Sequence, residues 1–144
     1  MTVVYDVIPW SRLLVPIEGG SDNPLHCTLD ARETTNVVTV RGEIDLSNVH
    51  ALEEVCDRGL RSSSLPLIID LSRVAYIDST GLNTLIKVHE RCHARRVEFA
   101  VTFTSRLMWR IFSVLSLQEK IQIFPTVQAA TEALHWSPRP GLNR

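Results

Sequence analysis

Asp78-Ser79-Thr80-Gly81 sets two adjacent hydroxyls between a carboxylate and a glycine, just ahead of an apolar helical stripe. Such side chains do two kinds of chemistry where a helix begins. Their oxygens accept hydrogen bonds from the first free backbone amides, which is capping. The same amides, with the helix dipole, also create a positive potential that stabilises a phosphate, so a hydroxyl placed there is a candidate phosphoryl acceptor. Capping alone is the plainer reading of the tetrapeptide. Gly81 leaves one side of the turn without a side chain, which implies room for another molecule to approach. A second acidic turn, Gly42-Glu43-Ile44-Asp45-Leu46-Ser47-Asn48, precedes another apolar stripe. Loops at the same ends of neighbouring strands gather on one edge of an open sheet, which brings Asp45 towards Ser79.

The elements that must position these turns follow from periodicity. Residues 25–31 and 36–41 alternate or are rich in β-branched side chains, and a short turn between them makes a hairpin. Val49, Leu52, Val55, Cys56 and Leu60 recur at helical spacing, as do Leu82, Leu85, Ile86, His89 and Cys92. Between them, residues 65–71 form a short apolar run suited to a buried central strand. Residues 97–103 alternate as a strand. Leu107, Met108, Ile111, Phe112 and Leu115 form a third helical stripe behind a Ser105 cap, and the stripe holding Trp109 and Phe112 is read as core. A strand at 121–124 and a helix from Thr126 to Leu134 complete the order β-β-α-β-α-β-α-β-α. That order is an α/β fold, a mixed sheet of about five strands with about four helices packed against it. The run from Glu18 to Pro24 breaks the chain into an extension at 1–24, a domain at 25–136 and a tail at 137–144. The extension is too apolar for a free tail; adding a strand, covering the sheet edge and exchanging in a homodimer are its three readings.

Composition narrows the function. The chain has 144 residues, a formal net charge of −1 and 44% hydrophobic residues, which excludes disorder and leaves no positive field for nucleic acid. No apolar run is long enough for a membrane span, and the N-terminal segment lacks the positive start of a signal peptide. Three widely spaced cysteines, Cys27, Cys56 and Cys92, are read as reduced thiols in a cytoplasmic protein.

Taken together, Gly42-Glu43-Ile44-Asp45-Leu46, the stretch Ile69-Asp70-Leu71-Ser72 leading through Val74 to Ile77-Asp78-Ser79-Thr80-Gly81-Leu82, and Phe124-Pro125 resemble the STAS domain of bacterial anti-sigma factor antagonists. The resemblance spans about Leu25 to Leu134. It implies a binding protein, not an enzyme, whose serine after the aspartate is phosphorylated. Ser79 matches that position, and Thr80 is the alternative acceptor. The implied partners are an anti-sigma factor that is also a serine kinase and a resetting serine/threonine phosphatase. Asp45, Leu46, Ser47, Asp78, Ser79, Thr80, Gly81, Leu82 and Asn83 form the implied partner-binding set, and no cofactor, metal or membrane insertion is implied. Ser116 stands where a helix-ending glycine is usual in the family. The same fold also serves as a non-switching subunit of lipid-transport complexes or stress-signalling particles, which is the second reading.

Other chemistries fit less well. A phosphoaspartate receiver built on Asp70 lacks paired acids after the first strand and a lysine in 97–105. A serine nucleophile at Ser79 has no Gly-x-Ser-x-Gly elbow and no histidine placed beside it. His89, Cys92 and His93 share one helical face, but no second ligand pair accompanies them, so core packing for His89 and Cys92 with His93 in solvent is expected. Lys87, Arg91, Arg95 and Arg96 form a solvated basic end to their helix.

Overall fold

The computed structural model describes residues 3–7 and 24–134. Six strands make one sheet in sequential order: β1 (Val3–Val7), β2 (His26–Ala31), β3 (Asn36–Ile44), β4 (Leu67–Ile77), β5 (Phe99–Thr102) and β6 (Gln122–Phe124). β1, β2 and β3 pair antiparallel, and β3 to β6 run parallel. Four helices accompany them: α1 (Val49–Ser62), α2 (Ser79–Ala94), α3 (Arg106–Val114) and α4 (Val127–Leu134). Residues 3–7 thus add an edge strand to the expected hairpin. The rest of the extension, and the tail at 137–144, lie outside the described residues.

The parallel half explains where the helices sit. The sheet grows in one direction from β3 to β6, and the right-handed rule for βαβ crossovers then puts α1, α2 and α3 on the same face, where their buried residues share one core. Their apolar stripes meet the large core, with Leu52, Val55, Leu85, Val88 and Phe112 against Val38, Ile69, Val101 and Phe103. Among the described residues, only α4 covers the opposite face, where Ala130 and Leu134 pack on Val37, Ile68 and Ala100. β4 therefore has apolar residues on both sides, and its first half reads as a continuous run, not an alternating one. Gly42, at φ +115°, carries the irregularity where the pairing of β3 with β4 shifts register, a conformation that side chains rarely adopt.

The third stripe needs correction. Met108 and Phe112 are fully buried, whereas Leu107, Trp109 and Leu115 are 41–46% exposed. A nine-residue helix lying on the margin of the sheet has too little surface above it to cover a stripe that broad. Trp109 rests edge-on against Phe103, with centroids 5.2 Å apart, and turns its remaining surface outward. Ser116 follows α3 in the left-handed region, at φ 53°, the conformation that makes glycine usual there. The three cysteines are wholly buried in the large core. Desolvation pushes the Cys92 thiol up to about 12 and raises that of Cys56 well above its usual value, so neither supplies a thiolate at neutral pH.

Candidate functional site

The C-terminal ends of β3, β4 and β5 point the same way, so the turns into α1, α2 and α3 share one edge of the sheet. The first two are directly joined: the Asp78 backbone N–H donates to the Ile44 carbonyl at 3.1 Å. The two acidic turns foreseen in the sequence are therefore neighbours.

At the β4–α2 turn, Asp78 is extended and half-buried, and its Oδ1 accepts from the Gly81 N–H at 2.9 Å. That bond satisfies one of the free amides of the first turn and orients the carboxylate along the helix start. Ser79 is the first residue of α2 and is exposed; Thr80 is half-buried, and its carbonyl accepts from the Thr84 hydroxyl at 3.0 Å. Asn83, one turn on, is exposed. Gly81 and Leu82 are buried. The open side expected at Gly81 is filled from within the protein: a Cβ there would stand 2.5 Å from Ile77 Cγ1 and 2.7 Å from Ile44 Cγ2. This glycine lets the helix start sit tightly on the ends of β3 and β4, and no outside molecule can approach through it. Of the implied binding set, Gly81 and Leu82 thus lie beneath the surface that the others form.

At the β3–α1 turn, Asp45 does not cap the helix. Its Oδ1 accepts from the Ser47 N–H at 2.9 Å and from the Ser47 hydroxyl at 2.5 Å, closing a small ring within the loop. Leu46, held at the tip of that ring, is 70% exposed. The residue that fixes the turn is Asn48, which the motif reading passed over. It is buried; its Oδ1 accepts from the Asp45 N–H at 2.9 Å, and its Nδ2 donates to the Glu43 carbonyl at 2.8 Å. The available signal was the position of an asparagine immediately before a helical stripe. Tyr76, 47% exposed near the end of β4 and opposite Glu43 in the register, was also missed.

The assembled edge offers an exposed hydroxyl at a helix start, two oriented carboxylates and a protruding apolar side chain. Among the described residues, no group of three or more His, Cys, Asp or Glu could hold a metal ion, and no helix is long and apolar enough to cross a membrane. Cys92 is buried and His93 exposed, while His89 is half-buried. The basic end of α2 does more than meet solvent. Arg91 pairs with Asp57 at 2.9 Å and Arg95 donates to the Leu60 carbonyl at 3.0 Å, tying α2 to α1.

Comparison with known proteins places these features in a lineage. The family model of the STAS domain matches residues 28–130. Osmosensory protein A of Mycobacterium tuberculosis is 29% identical over 99 residues, covering 69% of this chain; the chain spans only 62% of that relative's length. The anti-sigma-F factor antagonist RsfB of Mycobacterium tuberculosis is 31% identical over 94 residues, covering 65% of this chain and 76% of the relative. Among solved structures, an anti-sigma factor antagonist from Mycobacterium paratuberculosis superposes with a TM-score of 0.69 at 28% identity, covering 76% of this chain and 93% of the other. The chain belongs to the STAS domain family, among the anti-sigma factor antagonists.

Proposed function

We propose that this protein is a cytoplasmic regulator that binds an anti-sigma factor through the edge carrying Leu46, Ser79 and Asn83, and that phosphorylation of Ser79 releases it. The observation that carries the reading is the exposure of Ser79 at the first position of α2, beside the fixed carboxylate of Asp78 and the adjoining Asp45 turn. Exposure favours Ser79 over the half-buried Thr80 as the acceptor. In the transfer, the Ser79 hydroxyl oxygen attacks the γ-phosphorus of ATP held by the partner kinase. A new O–P bond forms, the bond to ADP breaks, and the hydroxyl proton passes to a base on the kinase. A serine/threonine phosphatase restores the hydroxyl by hydrolysis.

Electrostatics supplies the switch without a change of fold. The phosphoryl group adds about 1.5 to 2 negative charges beside two carboxylates. The start of α2 accommodates part of that charge, so the domain stays folded. A partner surface fitted to a neutral hydroxyl then faces a desolvated dianion in acidic company, and like-charge juxtaposition at an interface costs several kcal/mol.

The test pairs two variants with phosphosite mapping. Incubated with ATP and a cognate anti-sigma kinase, the protein gains one phosphate, at Ser79. Ser79→Ala keeps partner affinity and takes up no phosphate, whereas Ser79→Asp binds at least about a hundredfold more weakly, a loss of about 2.7 kcal/mol. Equal affinities of the two variants in calorimetry refute the switch. Stable binding with no phosphate transfer instead identifies a scaffold subunit of a larger assembly.

A further inference from the structure

At the other end of α2 from Ser79 lies a cavity that the proposed switch does not use. It has a volume of about 530 Å³ and is lined by His89, His93, Arg96, Glu98, Phe99 and Lys120, with Val97 and Gln122. That size falls within the range of small-molecule sites, about 300–1,000 Å³. His89 sits ten residues along α2 from Ser79, a separation of about 15 Å at 1.5 Å per residue.

Two features of the lining specify a ligand. The first is a row of rings. His89 lies 6.0 Å from Phe99 at 45° and 6.4 Å from His93 at 31°, centroid to centroid, so imidazole and phenyl surfaces form one wall. Phe99 is nearly buried beneath it. Aromatic walls of this sort favour flat, unsaturated ligands. The second is charge. Arg96 and Lys120 face the cavity with the single carboxylate of Glu98, whose Oε2 accepts from Gln122 at 3.2 Å. The two fixed cations, Arg96 and Lys120, exceed the Glu98 carboxylate by one charge, which matches a monoanion.

We propose that this cavity binds a small aromatic carboxylate, its ring against His89, His93 and Phe99 and its carboxylate between Arg96 and Lys120. The inference is independent of the role of Ser79. Titration of 2-naphthoate into the isotopically labelled full chain, followed by amide NMR, tests it. Saturable shifts are expected at Phe99, Lys120 and Gln122. The uncharged ring 2-naphthol, the saturated cyclohexanecarboxylate and inorganic phosphate should each bind at least about tenfold more weakly. Lys120→Ala, an exposed substitution, should weaken 2-naphthoate about tenfold while leaving the remaining amide spectrum in place. His89→Ala takes one ring out of the wall and should weaken it too. The proposal falls if 2-naphthoate gives no saturable shifts up to about 10 mM. It also falls if phosphate binds equally well, which would mark a merely cationic surface, or if the shifts centre elsewhere.

Discussion

The β3–α1 and β4–α2 turns start from similar materials: a strand end, an aspartate, hydroxyl residues and a helix. They end with opposite architectures. At β4–α2 the aspartate caps the helix, the serine beside it is exposed, and a glycine packs between Ile77 and Ile44. At β3–α1 the aspartate folds onto Ser47, a leucine protrudes, and a buried asparagine holds the turn from behind. One turn is anchored by the absence of a side chain, the other by a polar side chain inside. In both cases the anchoring residue lies below the surface, and the residues left free above it are those available to a partner. The contrast separates positions whose substitution should cost stability from positions whose substitution should cost binding.

Gly81→Ala should produce the largest loss of stability. The new methyl meets branched carbons close to the backbone of Ile77 and Ile44, which cannot swing aside as the tip of a long side chain would. Overpacking of this kind costs about 1–3 kcal/mol and occasionally more. The better helix propensity of alanine returns up to about 1 kcal/mol. With contacts of 2.5 and 2.7 Å the overpacking stands at the top of that range, about 3 kcal/mol or more, so we expect a net loss of about 2 kcal/mol or more in urea unfolding, and a helix start displaced from the strand ends. If Gly81→Ala were neutral, the packed-glycine account of the β4–α2 turn would be wrong.

Asn48→Ala comes next. It removes two side-chain hydrogen bonds and leaves the Asp45 N–H and the Glu43 carbonyl without those partners in a half-buried place. A loss of about 2 kcal/mol is expected, at the middle of the range for unsatisfied buried groups. Asp78→Ala forfeits the bond to the Gly81 N–H and should cost about 1 kcal/mol, the usual value for a helix cap. Asp45→Ala should cost less than Asp78→Ala, because its bonds close within an exposed loop and α1 takes no side-chain cap from it. A reversal of that order in matched denaturation curves would remove the distinction between the two turns.

These rankings mark what the sequence carried and what it withheld. Periodicity was enough for the hairpin, the crossovers and the buried strand, because Val49 to Leu60 and Leu82 to Cys92 each commit one face to the core. The acidic turns were visible from residue type, and their adjacency followed from parallel topology. The burial of Gly81 was not visible. A glycine reads the same whether it admits a ligand or a neighbouring isoleucine, and only the approach of Ile44 from another strand decides. Asn48 was obscured for a similar reason, since an asparagine before a helix suggests a cap while this one turns back to its own strand. Trp109 and Leu107 were misplaced because helical spacing tells which residues share a face, not how far the sheet beneath extends.

The smallest effect on stability should come from Leu46→Ala, and it tests the binding side of the contrast. With 70% of its surface in water, Leu46 contributes little to the fold, so its truncation should move stability by no more than about 0.5 kcal/mol. At a docking surface the same side chain would be buried by the partner, and losing its apolar area should weaken binding by about 1–2 kcal/mol. Measured by calorimetry against the anti-sigma partner, Leu46→Ala should therefore bind about tenfold more weakly while unfolding with the parent protein. Unchanged affinity would move the docking surface away from the β3–α1 tip and leave Ser79 and Asn83 as its centre. A joint loss of affinity and stability would mean that the loop depends on Leu46 for its shape, and the separation between anchoring and binding residues would fail at this turn first.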